Sequence, residues 1–255
     1  MIENAIILAA GTGSRLKPLT DHAPKCLTEI NGTPILLNAL DNLVEIGIIR
    51  CVIVTGYFSE AIKDVIGTGY RGIKIEYIYN KHYNKTNDMY SLWLAREIMK
   101  RGTVLLEGDI FFRSETLVNA LTGMGGRSYY LAGKYNGTDN EILITTGPDY
   151  EIKSIDVLKN RKGVVNSLNF MSSGMMVIHA DYGIRFSQWL TVFVNEKNVN
   201  ILFDEVLSAY TSEAALHVFQ ISHEEWVEVD TIDDLKRAEK VFQPLKKTKI
   251  NLTHP

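Results

Sequence analysis

Ile6-Ile7-Leu8-Ala9-Ala10-Gly11-Thr12-Gly13-Ser14-Arg15-Leu16 decides the reading of this chain. Three large aliphatic residues in a row form a strand signal of the kind covered on both faces. The run passes directly into a loop of alanine and glycine. Small residues let a backbone approach a ligand closely, and glycine tolerates the dihedral angles of a tight loop. Exposed N–H groups in such a loop can cradle phosphate oxygens. Arg15 and Lys25 bring positive charge within a few residues. Taken alone, the same letters would also suit a plain strand-to-helix turn. Two other phosphate motifs do not match. A P-loop needs Lys-Ser or Lys-Thr after its last glycine, and a dinucleotide fingerprint needs a third glycine where Leu16 stands.

Outward from this stretch, short apolar runs alternate with helical patterns. Helices are predicted at Pro34 to about Ile46, with Gly47 as cap, at Glu60–Ile66, and at Met89–Lys100 with Asp88 as N-cap. Strands are predicted at Cys51–Thr55, Ile73–Tyr79 and Thr103–Leu106, the last delivering Glu107-Gly108-Asp109. That alternation predicts an α/β fold: a Rossmann-like, mainly parallel central sheet with helices on both faces. From Tyr129 the pattern changes. Segments 129–134, 141–146 and 151–157 read as a small antiparallel insert. A strand at 174–178, helices near 181–196 and 203–211, strands at 216–220 and 226–229, and a helix at Ile232–Phe242 complete the series. One domain over 1–245 is expected, with halves at about 1–110 and 111–245, followed by a polar, basic tail at 246–255.

Composition narrows the functional classes. The 255 residues are 45% hydrophobic and 22% charged, with a net charge of -3. No broad basic field invites nucleic acid or an anionic membrane. No apolar run reaches the ~18 residues of a membrane helix, and the apolar run Ala5–Ala10 lacks the basic lead of a signal peptide. Cys26 and Cys51 fit no metal spacing, and reduced thiols in a cytoplasmic protein are the expectation. The six histidines show no ligand spacing; His179, after an apolar strand, reads as a structural residue.

Two carboxylates stand where a parallel sheet presents ligand-binding groups. Asp109 follows one apolar strand, and Asp230 follows Trp226-Val227-Glu228-Val229. Asp109 could equally close a strand-end turn. Asp230 could cap the helix from Ile232, unless Thr231 takes that role. Glu107, Asp204 and Glu205 also lie at element ends; Asp204-Glu205 on a helix could face the acceptor or form solvated surface, and surface is the favoured reading.

Leu8 to Leu16 followed by Pro24-Lys25 resembles the signature of the NTP-transferase family, whose members include sugar-phosphate nucleotidyltransferases and the phosphocholine and 2-aminoethylphosphonate cytidylyltransferases. Cys26 departs from the proline common after that lysine. Asn87 to Leu92 looks like the cytidylyltransferases more than the sugar enzymes, and amide and hydroxyl groups suit a pyrimidine edge. The resemblance implies a GT-A-like nucleotidyltransferase fold that transfers CMP from CTP to a small phosphorylated alcohol or phosphonate and releases pyrophosphate. It assigns Lys25 and Arg15 to catalysis, and Leu8, Ala9, Ala10, Gly11, Thr12, Gly13, Asn87, Ser91 and Gly108 to the nucleotide. It gives Asp109 and Asp230 to Mg²⁺. On the acceptor side it points to Lys159, with Lys153 and Lys162 as competitors. On residue type, Tyr90, Trp93, Tyr129, Tyr130, Phe170 and Trp226 could form a cage for a quaternary ammonium; a primary amine would instead be held by carboxylates, Asp139 or Glu141. Two alternatives stay open: a sugar-1-phosphate nucleotidyltransferase, and a non-catalytic nucleotide-binding regulatory subunit. Homo-oligomerisation is also left open.

Overall fold

A computed structural model describes residues 2–123, 125–138, 142–159 and 161–243. The strands in chain order are β1 (Asn4–Ala9), β2 (Glu29–Ile30), β3 (Thr33–Pro34), β4 (Arg50–Thr55), β5 (Gly69–Tyr70), β6 (Ile73–Tyr79) and β7 (Thr103–Glu107). They continue with β8 (Ile110–Phe112), β9 (Tyr129–Lys134), β10 (Ile142–Thr146), β11 (Ile152–Val157), β12 (Asn169–Ile178), β13 (His217–Gln220) and β14 (Trp226–Glu228). The helices are α1 (Ile35–Glu45), α2 (Ser59–Ile66), α3 (Asp88–Leu94), α4 (Arg96–Met99), α5 (Ser114–Thr122), α6 (Ala180–Asn195), α7 (Phe203–Ala209) and α8 (Ile232–Val241). Among the described residues, no helix is long and apolar enough to cross a membrane.

The main sheet runs β11-β10-β12-β7-β1-β4-β6-β5, and β9 joins both β12 and β13. The nucleus β7-β1-β4-β6 is parallel. Strand β1 shows why its sequence is uniformly apolar. Ala5, Ile7 and Ala9 enter the core on one face, with α1 and α2. Ile6 and Leu8 enter the other, with α3, α4, α6 and α7. Alternate residues point to opposite faces, so two helical layers require an unbroken apolar strand.

Several expectations change on contact with the structure. The helix predicted over Met89–Lys100 breaks at Ala95 into α3 and α4. Its N-cap is Asn87, whose Oδ1 accepts from the Asp88 amide at 2.9 Å. Asp88 instead accepts from the Phe203 amide at 2.9 Å and ties α3 to α7. The small antiparallel insert is present as expected, and it extends the main sheet: β10 and β12 pair antiparallel, and β9 pairs antiparallel with β12 and parallel with β13. The strand expected at 174–178 begins at Asn169, and all ten of its residues are buried. Strand β8 and helix α5 were not anticipated. Three residues show little periodicity, and β8 is held by a partner more than a hundred positions away, β14.

Helix α6 passes close to the end of α4. A Cβ added to Gly183 would lie 2.1 Å from the Met99 carbonyl oxygen. Alanine normally favours a helix interior over glycine by about 0.5–1 kcal/mol. Here the backbone contact decides the sign. Gly183→Ala should destabilise the protein by about 1–3 kcal/mol, the usual cost of overpacking. Chemical denaturation measures it, and a gain in stability would show that α6 can move away from α4 freely.

Candidate active site

Strand β1 ends at Ala9, and the chain turns through Gly11–Gly13 over the carboxyl ends of the parallel strands. Gly13 has φ 61°, and a Cβ there would lie 2.8 Å from the Lys25 Cβ. Glycine at this position therefore lets the loop press against the lysine. Thr20 Oγ1 donates to the Gly13 carbonyl at 2.9 Å and holds the turn. Lys25 begins a single helical turn after Pro24.

Two strands deliver the acids. β7 ends in Glu107, with Asp109 two residues on; β14 ends in Glu228, with Asp230 two residues on. The two segments are joined directly: Glu228 pairs with Ile110, and the Val229 amide donates to the Asp109 carbonyl at 3.0 Å. Asp230 is free of capping duty, because Thr231 caps α8 and exchanges hydrogen bonds with Asp234.

Lys25 lies between the two aspartates. Its Nζ donates to Asp109 Oδ2 at 2.7 Å and to Asp230 Oδ1 at 2.5 Å. Arg15 reaches the other oxygen of Asp230 at 2.7 Å. Burial works against the Lys25 charge, but Asp109 and Asp230 outweigh it and raise its pKa above the ordinary value. Burial likewise opposes ionisation of Asp230, and Lys25 and then Arg15 overcome it and hold its carboxyl below the usual range. Glu107 and Glu228 stand behind these groups. Burial, then the charge of Asp109, pushes both well above a normal carboxyl. The neighbouring Cys26 thiol is buried and pushed up to about 12, so it is inert.

The residues present fit a hard divalent cation. Asp109 Oδ1 is buried and has no hydrogen-bond partner among the described residues. Glu107, Asp109 and Glu228 each offer one oxygen, and these atoms lie within 4.8 Å of one another. Oxygen-only donors of this kind suit Mg²⁺ or Mn²⁺.

A cavity of about 390 Å³ opens over this centre. Leu8, Ala9, Ala10, Gly11, Thr12, Gly13, Arg15, Lys25, Asn87, Ser91, Gly108, Asp109 and Asp230 all line it. Ser91 is fixed from behind by Asn80, whose Nδ2 donates to it at 3.0 Å. Sequence reasoning missed Glu228 and misplaced Asp204. The signal for Glu228 was present: Glu-x-Asp occurs at both strand ends, Glu107-Gly108-Asp109 and Glu228-Val229-Asp230, and residues two apart on a strand share a face. Asp204 is 2% exposed rather than surface. It lines the cavity and accepts from Tyr130 Oη at 2.9 Å.

The acceptor candidates fare differently. Trp226 is 5% exposed and packs in the core behind β8, so it does not line the cavity. Tyr90 stacks on Trp93 with ring centroids 5.4 Å apart and is also outside the lining. Lys159 is exposed and does not reach it either. Tyr129 packs against His217 and Phe219, and Phe170 against Tyr150, so the six aromatic residues form no common cage. Long side chains with an apolar body fill core space first, and that demand claimed them. Asp139 and Glu141 lie outside the described residues.

Residues 4–124 match the nucleotidyl transferase family. The chain belongs to the nucleotidyltransferase family. Its fold matches the solved CTP:phosphocholine cytidylyltransferase of Streptococcus pneumoniae with a TM-score of 0.79 and 25% identity, over 94% of this chain and 99% of that one. A 2-aminoethylphosphonate cytidylyltransferase of Lancefieldella rimae is 26% identical over 91% of this chain and 90% of its own length. The CMP-5'-(3-aminopropyl)phosphonate synthase of Streptomyces rubellomurinus is 41% identical, over 44% of this nucleotidyltransferase but only 18% of that longer protein.

The buried wall of the cavity gives a pH signature. Burial raises the Asp204 carboxyl to about 7, partly offset by the Tyr130 hydrogen bond. An unfolded aspartate titrates near 3.9. The folded state thus keeps a proton that the unfolded chain releases, and this favours folding below about pH 4. The contribution is lost progressively as pH rises to about 7. Asp204→Asn, which cannot ionise, should lose less thermal stability than the wild type between pH 5 and pH 8. Parallel melting curves for the two proteins would show Asp204 to be ordinary.

Proposed function

We propose that this nucleotidyltransferase is a Mg²⁺-dependent cytidylyltransferase that transfers CMP from CTP to a small phosphorylated alcohol or phosphonate, with phosphocholine and 2-aminoethylphosphonate as the favoured acceptors. The observation that carries the reading is the Lys25 ammonium, held between Asp109 and Asp230 at the foot of the Gly11–Gly13 loop. Near-full-length similarity to a cytidylyltransferase supports the choice of nucleotide and acceptor class. The single sheet running through both halves supports treating residues 1–245 as one unit, and two buried free cysteines support a cytoplasmic location.

The acceptor phosphate or phosphonate oxygen is already anionic at neutral pH, so no general base is needed. It attacks the α-phosphorus, the bond to the β-phosphate oxygen breaks, and pyrophosphate leaves. Transfer of this kind depends on positioning and charge neutralisation. Lys25 neutralises the α-phosphate. The backbone amides of Gly11–Gly13 and the Arg15 guanidinium hold the departing pyrophosphate. Asn87 and Ser91 present polar groups to the pyrimidine. Asp109 and Asp230, with Glu107 and Glu228 beside them, would hold Mg²⁺, which supplies Lewis-acid polarisation of the phosphate oxygens.

The deciding experiment is pyrophosphate release with Mg²⁺ across CTP, UTP, dTTP, ATP and GTP, against phosphoalcohols, phosphonates and sugar-1-phosphates. Turnover with CTP and an amine-bearing phosphate or phosphonate is expected. Turnover only with a sugar-1-phosphate would favour that branch instead, and CTP binding without release would favour a regulatory subunit.

Two variants test the roles. Lys25→Ala should lower kcat/KM at least ~100-fold, the scale of losing one transition-state charge contact. Near-wild-type turnover would remove Lys25 from the reaction. Asp109→Asn should shift the magnesium titration to higher concentration and lower the maximum rate, and an unchanged titration would exclude Asp109 as a ligand.

A further inference from the structure

A second group of ligand-type side chains lies at the other end of the sheet. Asp149, Glu151 and His217 each offer one donor atom, and the three atoms fall within 4.8 Å of one another. The backbone brings them together in a defined register. Glu151 and His217 are opposite partners in an antiparallel bridge. The Ile152 amide donates to the Leu216 carbonyl at 2.8 Å and the Val218 amide to the Tyr150 carbonyl at 2.9 Å, on either side of that pair. Directly opposed residues in such a position present their side chains to the same face. The Gly147 amide closes the turn on the Glu151 carbonyl at 2.9 Å, and Asp149 Oδ1 accepts from the Glu151 amide at 3.2 Å.

The histidine supplies a separate observation. His217 is 8% exposed, and its Nδ1 is buried without a hydrogen-bond partner among the described residues. An imidazole so close to two carboxylates would ordinarily carry a proton and share it with one of them. No such bond is present. Burial, and then the charge of Arg127, lowers the His217 pKa. Asp149 is held ionised by the Glu151 amide. Lys153 donates to Glu151 Oε1 at 2.8 Å and leaves Oε2 open. Three ligand-type side chains therefore converge with no hydrogen bond between them among the described residues.

We infer that Asp149, Glu151 and His217 form a binding site for a divalent transition metal of the Zn²⁺ class, distinct from the Mg²⁺ centre. One neutral imidazole and two carboxylates suit Zn²⁺, Co²⁺ or Ni²⁺ better than Mg²⁺, which prefers oxygen alone. The site lies away from the reacting groups. His217 pairs with Tyr129, Tyr129 with Val177 and Val177 with Val104, at the entry end of β7, whereas Asp109 follows its exit end. An ion there would pin the turn before β11 to β13 and stabilise the folded state by mass action.

The test uses the intact protein with Mg²⁺ in excess, so that the oxygen-lined catalytic centre is filled. Co²⁺ is titrated while its visible absorption is followed, and Zn²⁺ while the melting temperature is followed. One equivalent of Co²⁺ per chain with absorption changes typical of a nitrogen ligand is expected, together with a Zn²⁺-dependent rise in Tm. Asp149→Asn, at an exposed position, should weaken binding at least about tenfold, and His217→Gln should remove the nitrogen signature. Pyrophosphate release with Mg²⁺ should be unchanged in Asp149→Asn. Absence of Co²⁺ binding to the wild type, or equal affinity in both variants, would overturn the assignment. So would a shift of the His217 ring signals caused by inorganic phosphate and not by metal, because His217 also borders a cavity with Arg127 and Arg185.

Discussion

The contact between the Lys25 ammonium and the two aspartates organises the rest of the molecule. Asp109 and Asp230 come from strands more than a hundred residues apart, and Lys25 comes from a third place in the chain. Two carboxylates brought this close repel unless a cation lies between them. The lysine relieves that repulsion without leaving the site, and Arg15 completes the neutralisation from the outer side. Further back, Glu107, Asp88 and Asp204 lie where burial raises their pKa values. The centre is thus graded: carboxyl groups paired with Lys25 and Arg15 at the mouth, and carboxyls that resist ionisation in the wall.

That grading explains why the sequence was informative in some places and silent in others. Ala9 to Gly13, Lys25, Asp109 and Asp230, which meet at the cavity, were legible because small, basic and acidic residues stand out beside recognisable strands. The strands β1, β4 and β7 were legible because two covering layers force an unbroken apolar run. β8 and α5 were not. A three-residue strand has too little pattern to detect, and β8 exists through pairing with β14. Asp204 was misread because an Asp-Glu pair at a helix start is usually solvated. Only the tertiary packing of α7 against β11 and α3 turns it inward.

The aromatic residues teach the converse lesson. Tyr90, Trp226 and Phe170 are of the type that binds organic cations, yet each is committed to packing or stacking elsewhere. Residue type alone could not separate the two uses. Among the described residues, the cavity lining includes Asp88, Ser91, Ser172 and Asp204, with Tyr83 as its aromatic member.

The β8–β14 pairing has a further consequence. It draws β14 against a strand more than a hundred residues earlier, so the second aspartate reaches the site only after the residues through β14 have been laid down. A ribosome-bound chain lacking β14 has the glycine loop, the lysine and half of the acidic pair, and lacks the carboxylate that Lys25 and Arg15 share. A protein cut in the exposed stretch near Gly125 and reassembled from two pieces would report, by its turnover, the moment at which the two halves meet.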